Sequence, residues 1–233
     1  LANLALPGAA LHIPNPMGYA DPGSLIYLPT ENTLTVERRS GRASVVQFWR
    51  VVPEAVSGSL LDTQPISYHT SYALSTALLS ETGQIAQVWE DGSLLLSDPS
   101  GGTETWISLA LDQPAVAAAI DPSGKWVAFA AGNGVLLWDT LSGATNLLQT
   151  PGKPGDSLAF RPDGSLLAAS LNDQTLLVWR TADGSLVQSL NLPATLSSDQ
   201  AILFSGDGAW LAARTNAGIT LWGWDENTTE FSN

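Results

Sequence analysis

The sequence of 233 residues contains no cysteine and few cationic side chains. The absence of cysteine excludes a disulfide framework and any metal site built from thiolates. Nine lysines and arginines face 22 aspartates and glutamates, which leaves a formal net charge of −13. Nucleic acids and anionic membranes are bound through cationic side chains that neutralise phosphate groups. We therefore expect neither of them as a partner.

Long apolar runs are also missing, because no stretch of 18 apolar residues occurs and none could span a bilayer as a helix. Only two lysines are present, Lys125 and Lys153, which favours an extracytoplasmic location over the cytoplasm. The first residue is Leu1, as in a processed or trimmed chain. The apolar fraction of 44% is enough to bury a large core.

The chain repeats itself with a period of about 40 residues. Three segments match well: DPSGKWVAFAAGNGVLLWDTLSG (121–143), RPDGSLLAASLNDQTLLVWRTADGS (161–185) and SGDGAWLAARTNAGITLWGWDENT (205–228). Weaker copies lie at 80–102 and 21–41. Each copy combines a Pro, Asp, Ser or Gly turn with short β-rich runs that do not alternate, as expected for strands covered on both faces. The repeats predict an all-β fold of four-stranded antiparallel units.

The segment DSLAFRPDGSLLAASLNDQTLLVWR (156–180) resembles the WD-repeat motif, with its Pro-Asp-Gly turn, Asp-x-Thr turn and terminal tryptophan. The resemblance is strong over 115–228 and weak over 20–110, and it implies a β-propeller. Arg180 and Gly223 replace the aspartate that follows the tryptophan in this motif, and no Gly-His pair precedes the blades. The chain therefore resembles a divergent branch of the WD-repeat β-propeller family.

We predict a single propeller domain over 1–233 with about five blades. Their approximate ranges are 9–50, 66–109, 114–150, 155–192 and 199–228, the last completed by residues 2–7. The last blade shows no convincing outer strand of its own, so we expect the N-terminal strand to join it and close the ring. A fragment of a seven-bladed propeller is the alternative.

The candidate binding residues are those at which the repeats fail to repeat. Trp89 stands at a predicted turn beside Glu90 and Asp91, where no other copy has an aromatic residue, and we expect it to be exposed. The insertion at 50–72 adds Tyr68, His69 and Tyr72. Aromatic anchors within a polar rim are typical of interface hot spots. We expect these six residues to bind a protein partner. Because Glu90 and Asp91 are acidic, they favour a partner with a basic surface.

An enzyme is disfavoured, because the predicted inner strands contain one acidic residue, Asp156, and no nucleophile motif such as G-x-S-x-G occurs. No cofactor or metal is expected. The sequence indicates a non-catalytic protein-interaction or scaffold domain within a larger assembly. A carbohydrate-binding, lectin-like propeller is the alternative, and it would require an aromatic residue and an amide repeated in most blades.

Deletion of residues 1–8 tests the predicted ring closure. Loss of the closing strand should leave backbone groups of the last blade without partners. We expect a melting temperature several degrees lower, or aggregation, in thermal unfolding monitored by circular dichroism. A truncated chain that melts like the parent would show that the closure is wrong.

Overall fold

A computed structural model describes residues 21–28, 33–40, 43–52, 57–65, 73–79, 83–97, 104–196 and 201–232. The secondary structure of these residues is entirely β, in 20 strands that form five four-stranded antiparallel sheets. The predicted all-β class and the four-stranded antiparallel units are confirmed. The chain divides into two compact units, Leu1–Tyr72 and Ala73–Asn233.

The first unit contains one sheet, with strand order β1-β2-β3-β4. Its strands are Asp21–Leu28 (β1), Thr33–Ser40 (β2), Ala43–Val52 (β3) and Ser57–Pro65 (β4). This sheet runs from 21 to 65, whereas the sequence analysis expected the first blade at 9–50. The difference arises because part of the supposed insertion at 50–72 is the strand β4, which pairs with β3 from Val45 to Val52. β4 contains glycine, aspartate and proline, which are depleted in strands, so its sequence resembles that of a loop.

The second unit contains four sheets that follow one another along the chain. The first is formed by Ala73–Leu78 (β5), Ile85–Trp89 (β6), Ser93–Ser97 (β7) and Glu104–Ser108 (β8). The second is formed by Ala115–Ile120 (β9), Trp126–Ala131 (β10), Gly134–Asp139 (β11) and Thr145–Gln149 (β12). The third is formed by Pro154–Phe160 (β13), Leu166–Leu171 (β14), Thr175–Arg180 (β15) and Leu186–Asn191 (β16). The last is formed by Ile202–Phe204 (β17), Trp210–Thr215 (β18), Gly218–Asp225 (β19) and Glu230–Ser232 (β20).

Consecutive sheets of the second unit pack face to face through three apolar cores. The innermost strands β5, β9, β13 and β17 lie next to one another in that order. Because a middle sheet is covered on both faces, all six residues of β14 are buried, which explains the apolar runs without alternation. The repeated Trp138, Trp179 and Trp222 lie in these cores, as the sequence predicted.

A turn glycine fixes how closely each sheet approaches the one before it. Gly164 lies in the turn between β13 and β14 and has a φ of 69°. A Cβ added to it would lie 2.9 Å from Oδ2 of Asp121, which follows the innermost strand of the preceding sheet. Gly124 and Gly208 occupy the same position in their sheets and approach Leu79 and Arg161 in the same way. The glycine that recurs every 40 residues or so is therefore needed both for the turn and for the contact between sheets.

The last sheet has an outer strand of its own. β20 pairs with β19 through Gly223↔Ser232, Trp224↔Phe231 and Asp225↔Glu230. The expectation that this sheet lacks an outer strand is therefore wrong. The sequence analysis missed β20 because it is only three residues long and follows the polar run DENTT. Residues 2–7 lie outside the described residues, and closure of the ring stays a prediction.

Aspartates at the hairpin turns cap the backbone in each repeat. Asp183 accepts hydrogen bonds from the hydroxyl and the backbone N–H of Ser185, at 2.7 Å and 2.9 Å. The hydroxyl of Ser185 lowers the pKa of the Asp183 carboxyl, helped by that backbone N–H. The hydroxyl of Ser205 does the same for the pKa of Asp207. Both carboxylates are hydrogen-bonded in their ionised form.

Asp183→Asn should make the free energy of unfolding less dependent on pH in the acidic range. A carboxyl with a lowered pKa stabilises the fold above its unfolded pKa of about 3.9, and this stabilisation is lost as the pH falls through the folded value. Wild type should therefore exceed the variant in free energy of unfolding at pH 6. The difference should begin to shrink below about pH 4 and disappear only once the pH lies below the lowered folded pKa of Asp183. Urea unfolding at several pH values measures it, and Ser185→Ala should behave alike. A difference independent of pH would contradict this role.

Candidate functional site

The turns between the second and third strands of the sheets in the second unit lie beside the segments that cross from one sheet to the next. The turn after β6 accepts a hydrogen bond from the crossing segment through Leu109 N and Gly92 O, at 3.0 Å. The hydroxyl of Thr150 donates to Asn133 O at 2.9 Å. Leu192 N makes the corresponding bond in the third sheet, to Gln174 O. In the last sheet the direction is reversed, because the turn residue Asn216 donates its N–H to Thr195 O of the segment that enters the sheet. These hydrogen bonds hold a set of polar turns against the crossing segments.

Trp89 does not lie exposed on this rim. It is the last residue of β6 and only 2% of its surface is accessible. Its ring packs against Trp106 of β8 with the centroids 5.2 Å apart. The expectation of an exposed anchor is therefore wrong, because the strand extends through the tryptophan and the turn begins only at Glu90. The carbohydrate-binding alternative requires an aromatic residue exposed in most blades, and Trp89 is neither repeated nor exposed.

Of the other predicted binding residues, the structure describes Glu90 and Asp91. Glu90 is half-buried, and its carbonyl accepts a hydrogen bond from Ala115 N. Asp91 is exposed, and its carboxylate caps the turn by accepting from Ser93 N at 3.0 Å. Tyr68, His69 and Tyr72 lie outside the described residues. A shared binding site for these residues stays a prediction.

Among the described residues of the second unit, the last sheet carries the most exposed large apolar side chains. Leu203, Trp210, Ile219 and Leu221 are 55%, 50%, 71% and 49% exposed. The strand register places them on one face, because Leu203, Ala212 and Leu221 lie directly opposite one another and Arg214 lies opposite Ile219. We call these four apolar residues the open face.

The equivalent positions in the two preceding sheets are buried. Val135 and Leu137 correspond to Ile219 and Leu221, and they are 0% and 1% exposed because the third sheet covers them. Leu176 and Val178 are the counterparts in the third sheet, and the last sheet covers those. The open face thus has the chemistry of a packing surface between sheets, and no other sheet of the second unit covers it.

The sequence carries one sign of this difference, which the repeat analysis overlooked. Arg214 is exposed and stands where the two preceding sheets have Ala130 and Ser170, each buried. A guanidinium is rarely placed at the centre of a packed interface without a partner. An arginine at this position of the repeat indicates a surface with water or a polar group nearby.

The structure offers little for catalysis or metal binding within the ranges it describes. No group of three or more histidine, aspartate or glutamate side chains is arranged to hold a metal ion there. Nor does any helix of sufficient length and apolarity to cross a membrane occur in those ranges. The inner strands β5, β9, β13 and β17 carry a single acidic residue, Asp156.

Comparison with known proteins relates the chain to WD-repeat proteins. It is 35% identical over 86 residues to "Small ribosomal subunit protein RACK1z" of Arabidopsis thaliana, which is 37% of this chain and 23% of that protein. It is 28% identical over 123 residues to "Small ribosomal subunit protein RACK1y" of Oryza sativa subsp. japonica, covering 52% and 34%. An uncharacterized WD repeat-containing protein of Synechocystis is 33% identical over 102 residues, covering 39% and 26%. No family model matches the chain.

The matches span about a quarter to a third of the length of these relatives. Together with the four-stranded sheets, they confirm the resemblance to the WD-repeat family that the turn and tryptophan motifs carried. The fold is that of a β-propeller whose four-stranded sheets are the blades. In particular, part of the chain is similar to the proteins named RACK1 of the small ribosomal subunit.

Paired substitutions at equivalent positions test whether the open face is exposed in solution. Leu137→Ala should lower the free energy of unfolding by about 2–5 kcal/mol, as truncation of a buried leucine does. Leu221→Ala should lower it by less than about 1 kcal/mol, because little packing is lost at an exposed position. Urea unfolding of both variants gives the comparison. Equal losses would mean that the open face is covered.

Proposed function

We propose that this chain is a non-catalytic protein-interaction module and a component of a larger assembly. The open face is the observation that carries this proposal. Folded monomers rarely leave a contiguous apolar patch of this kind without a binding role. Interface cores are also depleted in charge and enriched in aromatic residues, and Trp210 with three aliphatic neighbours fits that composition.

The relatives support membership of an assembly. Two of them are named as proteins of the small ribosomal subunit, so a chain similar to them fits a component of an assembly. The matched length is a minority of each relative, and the partner therefore has to be argued from the surface of this chain. A non-catalytic role is supported by the inner strands of the second unit, which contain a single carboxylate, Asp156, since a hydrolytic pair would need two.

The surface indicates what kind of protein would bind. The four exposed side chains call for a partner with an apolar patch that can lie flat on a β-sheet. Acidic groups dominate the chain, whose formal net charge is −13. A partner with basic residues around its apolar patch would be drawn to this surface by charge, and the association would weaken with salt.

A second candidate binding surface is proposed from its residue types alone. Asp91 is exposed beside the half-buried Glu90, and this acidic pair would favour a basic partner. With Tyr68, His69 and Tyr72 it makes up the predicted site, from which the buried Trp89 is now removed as an anchor. The open face is the stronger candidate because its apolar side chains are both large and accessible.

Cross-linking from the open face tests the proposal. A photoreactive residue replaces Ile219 in the full chain, which is expressed in its source cells, and Leu141 is replaced in a matched control. Leu141 is 82% exposed and lies in the turn after β11, away from the open face. A protein cross-linked from position 219 but not from 141 is then purified and titrated against the chain.

Ile219→Lys and Leu221→Lys should each weaken binding of that purified protein by about 30-fold or more, the effect of losing about 2 kcal/mol at a hot spot. Leu141→Lys should leave the affinity within about twofold. Calorimetric titration measures all three. Unchanged affinity in both open-face variants, with their fold intact by circular dichroism, would show that the module binds elsewhere.

A further inference from the structure

One aspartate on a strand of the second unit is not used by the fold. Asp156 lies on the innermost strand β13 and is exposed, and its carboxylate makes no hydrogen bond or ion pair within the ranges that the structure describes. Asp112 is also outside a turn cap, but it lies in the segment between β8 and β9. The other aspartates accept a hydrogen bond from the backbone N–H two residues further along the chain. They are Asp91, Asp121, Asp139, Asp163, Asp173, Asp183, Asp207 and Asp225.

A β-bulge presents Asp156 outside the regular ladder. The register between β13 and β14 shifts between Pro154 and Leu158, so that three residues of β13 stand opposite Ser170 alone. Asp156 is the middle one of the three. Bulges redirect side chains and are over-represented next to active sites. The irregularity of β13 therefore falls on the one strand carboxylate that the fold leaves without a partner.

The bulge is fixed on both sides of Asp156. Ser170 Oγ donates to Ser157 O and accepts from Ser157 N, both at 3.2 Å. Ser157 Oγ accepts a further hydrogen bond from Ile202 N of the last sheet, at 3.1 Å. Gly155 is buried, and a Cβ added to it would lie 2.5 Å from Ser170 Oγ. The backbone that carries Asp156 is therefore preorganised, which lowers the entropic cost of binding.

An exposed apolar side chain occupies the bulge of the neighbouring inner strand. In β9 the register shifts between Ala115 and Ala117, which leaves Val116 as the extra residue. Val116 is 57% exposed, although both of its neighbours in the chain are buried. β9 and β13 lie next to each other, and Ala117 and Leu158, which directly follow the two bulges, belong to the same apolar core. The bulges therefore bring an apolar side chain and a carboxylate to adjoining strands.

We propose that Asp156 and Val116 form a binding site for a cationic side chain of a partner protein. Lysine and arginine join an apolar stem to a charged head. Val116 contacts the stem, and the Asp156 carboxylate bonds the head. A guanidinium fits best, because it bonds a carboxylate through two parallel N–H groups. The formal net charge of −13 draws a cationic partner to this chain. The site does not depend on the open face and adds a second contact to the proposed function.

Titration with n-butylguanidinium, which reproduces the arginine side chain, tests this site. In ¹H–¹⁵N spectra of the full chain, the backbone N–H signals of Val116, Asp156 and Ser157 should shift and reach saturation. The neutral probe n-butylurea has the same stem and a similar shape, and it should bind more weakly by about fivefold or more, because it forms no ion pair. Equal affinity for the two probes, or no shift with either, would overturn the proposal.

Asp156→Asn should weaken binding of n-butylguanidinium by about fivefold, as expected for the loss of an ion pair at an exposed site. Asp183→Asn is the matched control, since it removes the same charge from a turn of the same sheet, and it should leave the affinity within about twofold. Ile219→Lys should also leave it within about twofold, which separates this site from the open face. Equal weakening by Asp156→Asn and Asp183→Asn, with both variants folded by circular dichroism, would show that net charge alone attracts the probe and that the site is wrong.

Discussion

Packing of one sheet against the next is the interaction on which the rest of this structure depends. Four strands of five or six residues cannot bury enough apolar surface alone, and a sheet covered on one side still exposes the other. In the second unit the third sheet is covered on both faces, so that every residue of β14 is buried. The close approach of Gly164 to Asp121 sets the distance between sheets at the turns.

This packing confines variation to the edges and to the ends of the series. Strand residues between two sheets must be apolar and of a fixed volume, whereas turn residues must only satisfy the backbone. The turns are therefore capped by aspartates such as Asp183 and Asp91, and their side chains are free to differ between repeats. The last sheet departs most from the pattern, because its open face is exposed, and this face carries the proposed function.

Repetition made much of the fold predictable. The recurrence of Gly124, Gly164 and Gly208, and of Trp138, Trp179 and Trp222, indicated the blades because each recurring residue has the same physical role in every repeat. The strand β4 was not predicted, because the glycine, aspartate and proline of Ser57–Pro65 resemble a loop and pairing with β3 overrides that preference. β20 was not predicted because it has only three residues.

The candidate site was less predictable, because exposure is a property of the assembled sheets. Trp89 was expected to be exposed since no other repeat has an aromatic residue there, yet a unique residue can also fill a unique space, as its contact with Trp106 does. Ile219 and Leu221 match the buried Val135 and Leu137 in the repeat, so the local pattern predicts burial. In the sequence, only Arg214 distinguishes that face from the buried faces of the two preceding sheets.

The contiguity of each sheet has a consequence for how the chain folds. Every sheet of the second unit is made from one unbroken stretch, such as 115–149, and it packs on the stretch directly before it. Contacts are therefore local in sequence despite the all-β content, which shortens the loops that must close before strands pair. During synthesis, each blade can add to a finished surface as it leaves the ribosome, so that folding proceeds from one end like a growing stack.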